Sequence, residues 1–139
     1  MAHIVDIEYN AGMSFKGHVN GHEIILDAED QHGGNDLGPR PKPLLLLSLI
    51  GCTGMDVVSL LHKMRVRFED VKVSATGELT EEHPRYYNKI HLKYEIWGED
   101  LDKAKIEKAV SYSQDRYCGV TAMLEVKAEI TFEIEYHES

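Results

Sequence analysis

Apolar and polar residues alternate most regularly at the end of the chain. There Leu124, Val126, Ala128, Ile130, Phe132, Ile134 and Tyr136 take turns with Glu125, Lys127, Glu129, Thr131, Glu133, Glu135 and His137. A period of two is that of a strand with one buried and one wet face, and it predicts a final half-buried antiparallel strand. The same period runs through Tyr86 to Trp97, where Ile90, Leu92, Tyr94 and Ile96 oppose His91, Lys93 and Glu95. With Phe68 to Leu79 before it and a charged turn around Glu81-Glu82-His83-Pro84, this stretch reads as a hairpin. Near the N-terminus, Ile4 to Tyr9, Met13 to Val19 and His22 to Ala28 are three further strands. Asn20-Gly21 joins the last two, because both residues tolerate positive φ.

The period lengthens between Pro43 and Arg65. Leu45, Leu49, Cys52, Asp56, Ser59 and Lys63 recur every three or four residues and share a helical face. Pro43 suits a first helical position, where no N–H is needed. The N-terminal half of this helix is apolar all round, which predicts a central helix buried on several sides. Gly51 and Gly54 flank Cys52, each at about 1 kcal/mol relative to alanine, and point to close packing there. A second helix, capped by Asp100, is predicted over Leu101 to about Tyr117, with Ile106, Ala109 and Val110 as its core face. Between strands and first helix, residues 29–42 are polar and rich in Gly and Pro, the composition of either a functional loop or a mobile linker. The element order is thus β-β-β-α-β-β-α-β. It describes an α+β fold with antiparallel sheets around two helices, one long and central, within a single domain over residues 1–139. So long a buried helix needs more cover than one small sheet supplies, and a homodimer is the natural completion.

Charge narrows the partners. Lys and Arg number 15 against 24 Asp and Glu, a net charge of −9. Nucleic acid and anionic membrane surfaces are poor partners for such a chain. The Leu44–Cys52 apolar run is too short to span a bilayer, and the N-terminus lacks the basic start and long apolar stretch of a signal peptide. A cytoplasmic location follows as the expectation, where thiols are kept reduced. Eight histidines raise the question of metal, but His18 and His22 straddle a turn and no Cys or His cluster has zinc spacing, so isolated surface histidines are the expectation.

That leaves Cys52 and Cys118, the two cysteines. Cys52 lies more than two turns into its helix, beyond much help from the helix dipole, and Asp56 one turn on disfavours a thiolate. Activation must come from outside the helix, with Arg40 and Lys42 the near cations and Lys16 and Arg116 the remoter ones. Unactivated, Cys52 is a core residue. Cys118 stands where the second helix ends, either as a buried small residue or within reach of the other sulfur.

Two segments around these cysteines carry a resemblance. Gly38-Pro39-Arg40-Pro41-Lys42-Pro43 leading through Leu44-Leu45-Leu46-Leu47-Ser48-Leu49-Ile50-Gly51 to Cys52-Thr53 resembles the segment before the reactive cysteine of the osmotically inducible protein C / organic hydroperoxide resistance (OsmC/Ohr) family. Ala109-Val110-Ser111, continuing with Ser113-Gln114-Asp115-Arg116-Tyr117-Cys118-Gly119-Val120, resembles the family's second cysteine segment, and the element order agrees. The resemblance implies an intertwined OsmC-like homodimer with active sites at the subunit interface and the 29–42 loop close by. It implies reduction of an organic hydroperoxide, with Cys52 the peroxidatic and Cys118 the resolving thiol and a dithiol reductant restoring the pair. It also implies that no metal or organic cofactor takes part. Two positions depart from it. The peroxidases' arginine from the N-terminal strands has no counterpart before Arg40, and their glutamate ten residues ahead of the reactive cysteine is Lys42 here. The chain therefore resembles an OsmC-like branch, with Arg40 or Lys42 as the expected thiolate-stabilising cations. The alternative is a weakly redox or non-catalytic dimer that binds a small hydrophobic ligand in an interface pocket.

Overall fold

A computed structural model describes all 139 residues. Six strands and three helices follow one another in the order β1 (Asp6–Ala11), β2 (Ser14–Val19), β3 (His22–Leu26), α1 (Pro41–Lys63), β4 (Asp70–Leu79), β5 (Tyr87–Gly98), α2 (Lys103–Tyr112), α3 (Gly119–Leu124) and β6 (Glu129–Glu138). The chain forms two compact units, Met1–Leu45 and Leu46–Ser139, divided inside α1.

The first unit is the antiparallel sheet β1-β2-β3 and the segment that follows it. Val19 pairs with His22 across the Asn20-Gly21 turn, where Asn20 has φ 51 and Gly21 φ 78, as a tight hairpin demands. Residues 29–40 are not a structureless linker. A 3-10 turn at Asp30–His32 opens the segment, and buried Asp27 holds the rest. One Asp27 oxygen accepts the Ala28 N–H at 2.7 Å and the other accepts the Asn35 and Leu37 N–H groups at 3.1 Å each. The glycines are sterically required. A Cβ at Gly34 would lie 1.9 Å from the Ala28 carbonyl oxygen and one at Gly38 2.0 Å from that of Ile25.

Backbone N–H groups, first that of Leu37, hold the Asp27 carboxyl below the ordinary carboxylate range, with the Arg40 charge assisting. A depressed carboxylate contributes stability that is complete above its unfolded value, about 4, and lost as pH falls through the lower folded value. Amide-exchange protection factors at Asn35 and Leu37 are therefore expected to fall on acidification below pH 4, while amides paired between β2 and β3 keep theirs. Equal loss at both places would sink this assignment.

In the second unit β4-β5-β6 form a mixed sheet. β4 and β5 are the expected antiparallel hairpin, with Val73 opposite Tyr94. β6 runs parallel to β5, not antiparallel, with Ile130 beside Ile90 and Ile134 beside Tyr94. A two-residue period reports faces and not direction. Here α2 and α3 lie in the connection, and a helical crossover is what returns a chain parallel to itself. The strand also starts at Glu129 instead of Leu124, since Gly119–Leu124 is helical. The second helix differs likewise. It is capped by Asp102, which accepts the Lys105 N–H at 3.2 Å, while Asp100 adopts φ 47. It ends at Tyr112 and passes into a π turn, Ser113–Tyr117.

α1 starts at Pro41, so Lys42 belongs to its first turn and Pro43 follows within the same turn, where missing N–H groups are harmless. Its buried residues are Leu49, Thr53, Val57 and Leu61, one stripe at i, i+4 spacing. They join Ile90, Leu92, Tyr94 and Ile96 of β5 with Ile106, Ala109 and Val110 of α2 in one core. Burial on several sides is not what the single chain provides: Leu47 and Met55 are exposed, Met55 at 77%. Nor does the chain crowd the helical glycines. A Cβ at Gly51 would meet nothing within 4 Å, and one at Gly54 only Val73 at 3.6 Å.

Candidate functional site

Cys52 projects from the fourth turn of α1, one residue before buried Thr53 in the stripe. It is half-buried, and Cys118 is 3% exposed. The fold brings them together: both sulfurs and a carboxylate oxygen of Asp56 lie within 4.8 Å of one another. Asp56 belongs with Cys52 because it is four residues on along the same helix. Cys118 arrives by a different route. The π turn closes with the Cys118 N–H donating to the Ser113 carbonyl at 2.8 Å, a five-residue step. Cys118 is then the N-cap of α3, where the Thr121 N–H donates to its sulfur at 3.3 Å. It is thus the start of a helix as well as the end of one.

Behind the sulfurs runs a buried polar network whose proton order is fixed by counting hydrogens. Ser113 Oγ donates to the Asp56 carboxylate at 3.0 Å, which uses its one proton. Thr53 Oγ1, 2.7 Å away, must therefore donate to Ser113. Tyr94, with its hydroxyl 2.6 Å from Thr53 Oγ1, must in turn donate to Thr53. The two Gln114 Nε2 protons go to Tyr94 at 2.8 Å and Thr53 at 3.2 Å, and its Oε1 accepts from Thr121 Oγ1 at 3.3 Å. No buried side-chain polar atom is left without a partner. The chain of hydroxyls ends on Asp56, so the network supplies a fixed dipole row pointing at one carboxylate.

Burial pushes the Cys118 thiol above its ordinary value; the Thr121 hydrogen bonds pull it back in part, and neighbouring Cys52 pushes it up again. Burial also raises the Tyr94 phenol. Arg40 is occupied in the N-terminal unit, donating to Asp36 at 2.6 Å and the Gly38 carbonyl at 2.8 Å, with Glu29 at 3.9 Å. Lys42 sits in that unit too, at the start of α1. Arg116 lies over the Tyr112 ring. Around the sulfurs stand the Asp56 carboxylate, the Ser113 hydroxyl bonded to it and the Thr121 N–H.

The two cysteines and Asp56 stand out in the sequence as site residues, whereas Thr53, Tyr94, Ser113, Gln114 and Thr121 do not. One signal was available: Thr53 and Ser113-Gln114 are hydrogen-bonding residues at positions the periodicity assigns to apolar helix faces. Linear spacing likewise concealed the grouping of Cys52, Asp56 and Cys118, since Cys118 comes from 66 residues beyond Cys52.

Residues 33–135 match the family described as OsmC-like protein. The chain belongs to the OsmC-like family. Protein YhfA of Escherichia coli K12 is 35% identical over 130 residues, which are 93% of this chain and 94% of YhfA. The crystal structure of a hypothetical protein from Aquifex aeolicus VF5 superposes with a TM-score of 0.83 at 30% identity, covering 99% of each chain. The organic hydroperoxide resistance protein OhrB of Bacillus subtilis shares the fold, with a TM-score of 0.68 at 13% identity over 97% of this chain and 98% of its own. The OsmC-like fold is thus an α+β arrangement in which one mixed sheet, α1 and the α2–α3 connection fix both cysteines.

Proposed function

We propose that this OsmC-like protein reduces organic hydroperoxides with Cys52 and Cys118. The carrying observation is the approach of the two sulfurs to within 4.8 Å, on separate elements, beside one carboxylate. In the first step Cys52 sulfur attacks a peroxide oxygen. The O–O bond breaks, an S–O bond forms, sulfur loses two electrons, and the thiol proton passes to the departing alkoxide to give an alcohol. Asp56, the carboxylate within 4.8 Å of both sulfurs, is the candidate to relay that proton, directly after a side-chain shift or through one water. In the second step Cys118 attacks the sulfenic sulfur, giving a disulfide and water. An S–S bond needs about 2.05 Å, so the sulfurs close a short remaining gap by side-chain rotation. An external dithiol then exchanges with the disulfide, becoming oxidised itself. The buried, proton-holding Cys118 suits the resolving role, and half-buried Cys52 the role that meets substrate. Arg40 and Lys42 enter this reading as candidate cations for the Cys52 thiolate.

The reading is tested by adding an organic hydroperoxide and a dithiol to the reduced protein. Catalytic consumption of both is expected; consumption no faster than in buffer would reject it and favour a ligand-binding role.

The same proposal includes a homodimer. In the most apolar 18-residue stretch of α1, only 22% is buried within the chain. By length and composition this helix would also cross a membrane, but its stripe docks on β5 through Thr53 and Tyr94. A second copy covering Leu47 and Met55 resolves the exposed remainder. Sedimentation should give twice the 15.8 kDa chain mass. Met55→Asp combined with Leu47→Asp should shift it to one chain mass, and a monomeric wild type would exclude this assembly.

A further inference from the structure

The same three groups that face one another at the thiol pair also form a ligand set for a thiophilic metal, and this does not depend on the peroxide chemistry. We infer that the reduced protein binds one zinc-like divalent cation through Cys52 Sγ, Cys118 Sγ and an Asp56 carboxylate oxygen.

Three observations converge on it. The ligand atoms lie within 4.8 Å of one another. A tetrahedral site with Zn–S bonds of about 2.3 Å sets its sulfurs about 3.8 Å apart, so the groups contract by at most about an ångström. Cys52 and Asp56 are four residues apart on α1, the spacing that aims two side chains of one helix at a single ion.

The second observation is that two of the three ligands are already oriented from behind. Ser113 Oγ donates to Asp56 Oδ2 at 3.0 Å, and that serine is held by Thr53 at 2.7 Å. The Thr121 N–H donates to Cys118 Sγ at 3.3 Å. Hydrogen bonds to a ligating carboxylate and thiolate are what keeps such groups in place around a metal. The third is charge. The side-chain and backbone donors bonded to Asp56 and Cys118 are neutral, so the charge that two metal-bound thiolates and the carboxylate would carry is left for a divalent cation to offset. The cluster Glu95, Glu135 and His137 is a poorer candidate, because Lys93 Nζ already stands 2.6 Å from Glu135 Oε2.

Binding replaces one proton on each thiol by the metal, and the open fourth position takes water. Two-electron oxidation of the cysteines to the disulfide removes both thiolate ligands. Metal occupancy therefore belongs to the reduced state alone.

The test is competition for zinc between metal-free reduced protein and a chromophoric chelator, in oxygen-free buffer, with cobalt as a spectroscopic substitute. One zinc per chain is expected, with a sulfur-to-cobalt charge-transfer band. Cys52→Ser and Cys118→Ser should each weaken zinc binding at least 100-fold and reduce that band, Asp56→Asn at least about 10-fold. Diamide-oxidised protein should bind no zinc, and His137→Ala should bind as the wild type does. Circular dichroism establishes that each variant is folded. Equal affinity in the wild type and Cys52→Ser overturns the proposal, as does a cobalt spectrum without the sulfur band. If zinc binds while hydroperoxide is not turned over, the metal site stands and the peroxidase reading falls.

Discussion

Cys52→Ser is expected to reduce hydroperoxide consumption to the uncatalysed rate, and Cys118→Ser to stop it after one equivalent. The difference between the two variants carries the argument. Under the proposed function half-buried Cys52 is the thiol that meets substrate, whereas Cys118, 3% exposed, is too enclosed to do so and acts on its neighbour's sulfur. Without Cys118 the sulfenic acid on Cys52 has no thiol to condense with, so one alcohol forms per chain and the oxidised sulfur persists. A sulfenic-acid trap should label Cys118→Ser at Cys52 and leave wild type largely unlabelled. Wild type treated with one equivalent of hydroperoxide should instead lose two hydrogens, with Cys52 and Cys118 recovered in one cross-linked peptide. If Cys118→Ser turned over as fast as the wild type with a dithiol present, Cys118 would have no resolving role.

Thr53→Val should have the largest effect on stability of any isosteric change in the second unit. Thr53, itself fully buried, donates through Oγ1 to Ser113 and accepts from Tyr94 in buried bonds and accepts from Gln114 in a part-buried one. Valine fills the same volume but leaves the Tyr94 proton with no acceptor and Ser113 with no donor. Leaving a buried polar group unpaired costs about 1–3 kcal/mol, so the variant should lose about 3 kcal/mol. That corresponds to about 10 °C in Tm for a chain of this size. Thr131→Val, which removes an exposed hydroxyl bonded to His91 at 2.7 Å, should change stability by about 0.5 kcal/mol or less. Equal Tm values for the two variants would show that the buried network contributes nothing.

Much of the architecture was legible because periodicity reports burial. The Ile90–Ile96 alternation, the Asn20-Gly21 hairpin and the long helix all follow from local pattern, and each is present. Direction and partner choice are not local properties. The parallel pairing of β6 depends on what the intervening chain does, and the break of the second helix at Tyr112 depends on Ser113 finding Asp56 and Thr53. At the candidate site, Cys52 and Asp56 were readable as one helical face. Cys118 was readable only as one of two alternatives, buried small residue or partner of the other sulfur, since its position is set by a π turn that propensity does not announce. The loop over residues 29–42 was legible as special but not as ordered, because its organiser, Asp27, lies in the chain just before it.

The parallel register of β6 bears on the order in which the molecule is made. β4 and β5 are neighbours in sequence and can zip together early, but β6 must wait until some thirty residues of crossover have been laid down, and long-range pairing of that kind is slow. Cys118 lies inside the crossover, whereas Cys52 precedes the whole sheet. During synthesis Cys52 therefore leaves the ribosome first and has no thiol partner in its own chain until the crossover has closed. In that interval it is open to oxidation or to linkage with another nascent chain, and a reducing surrounding is needed for the correct pair to meet.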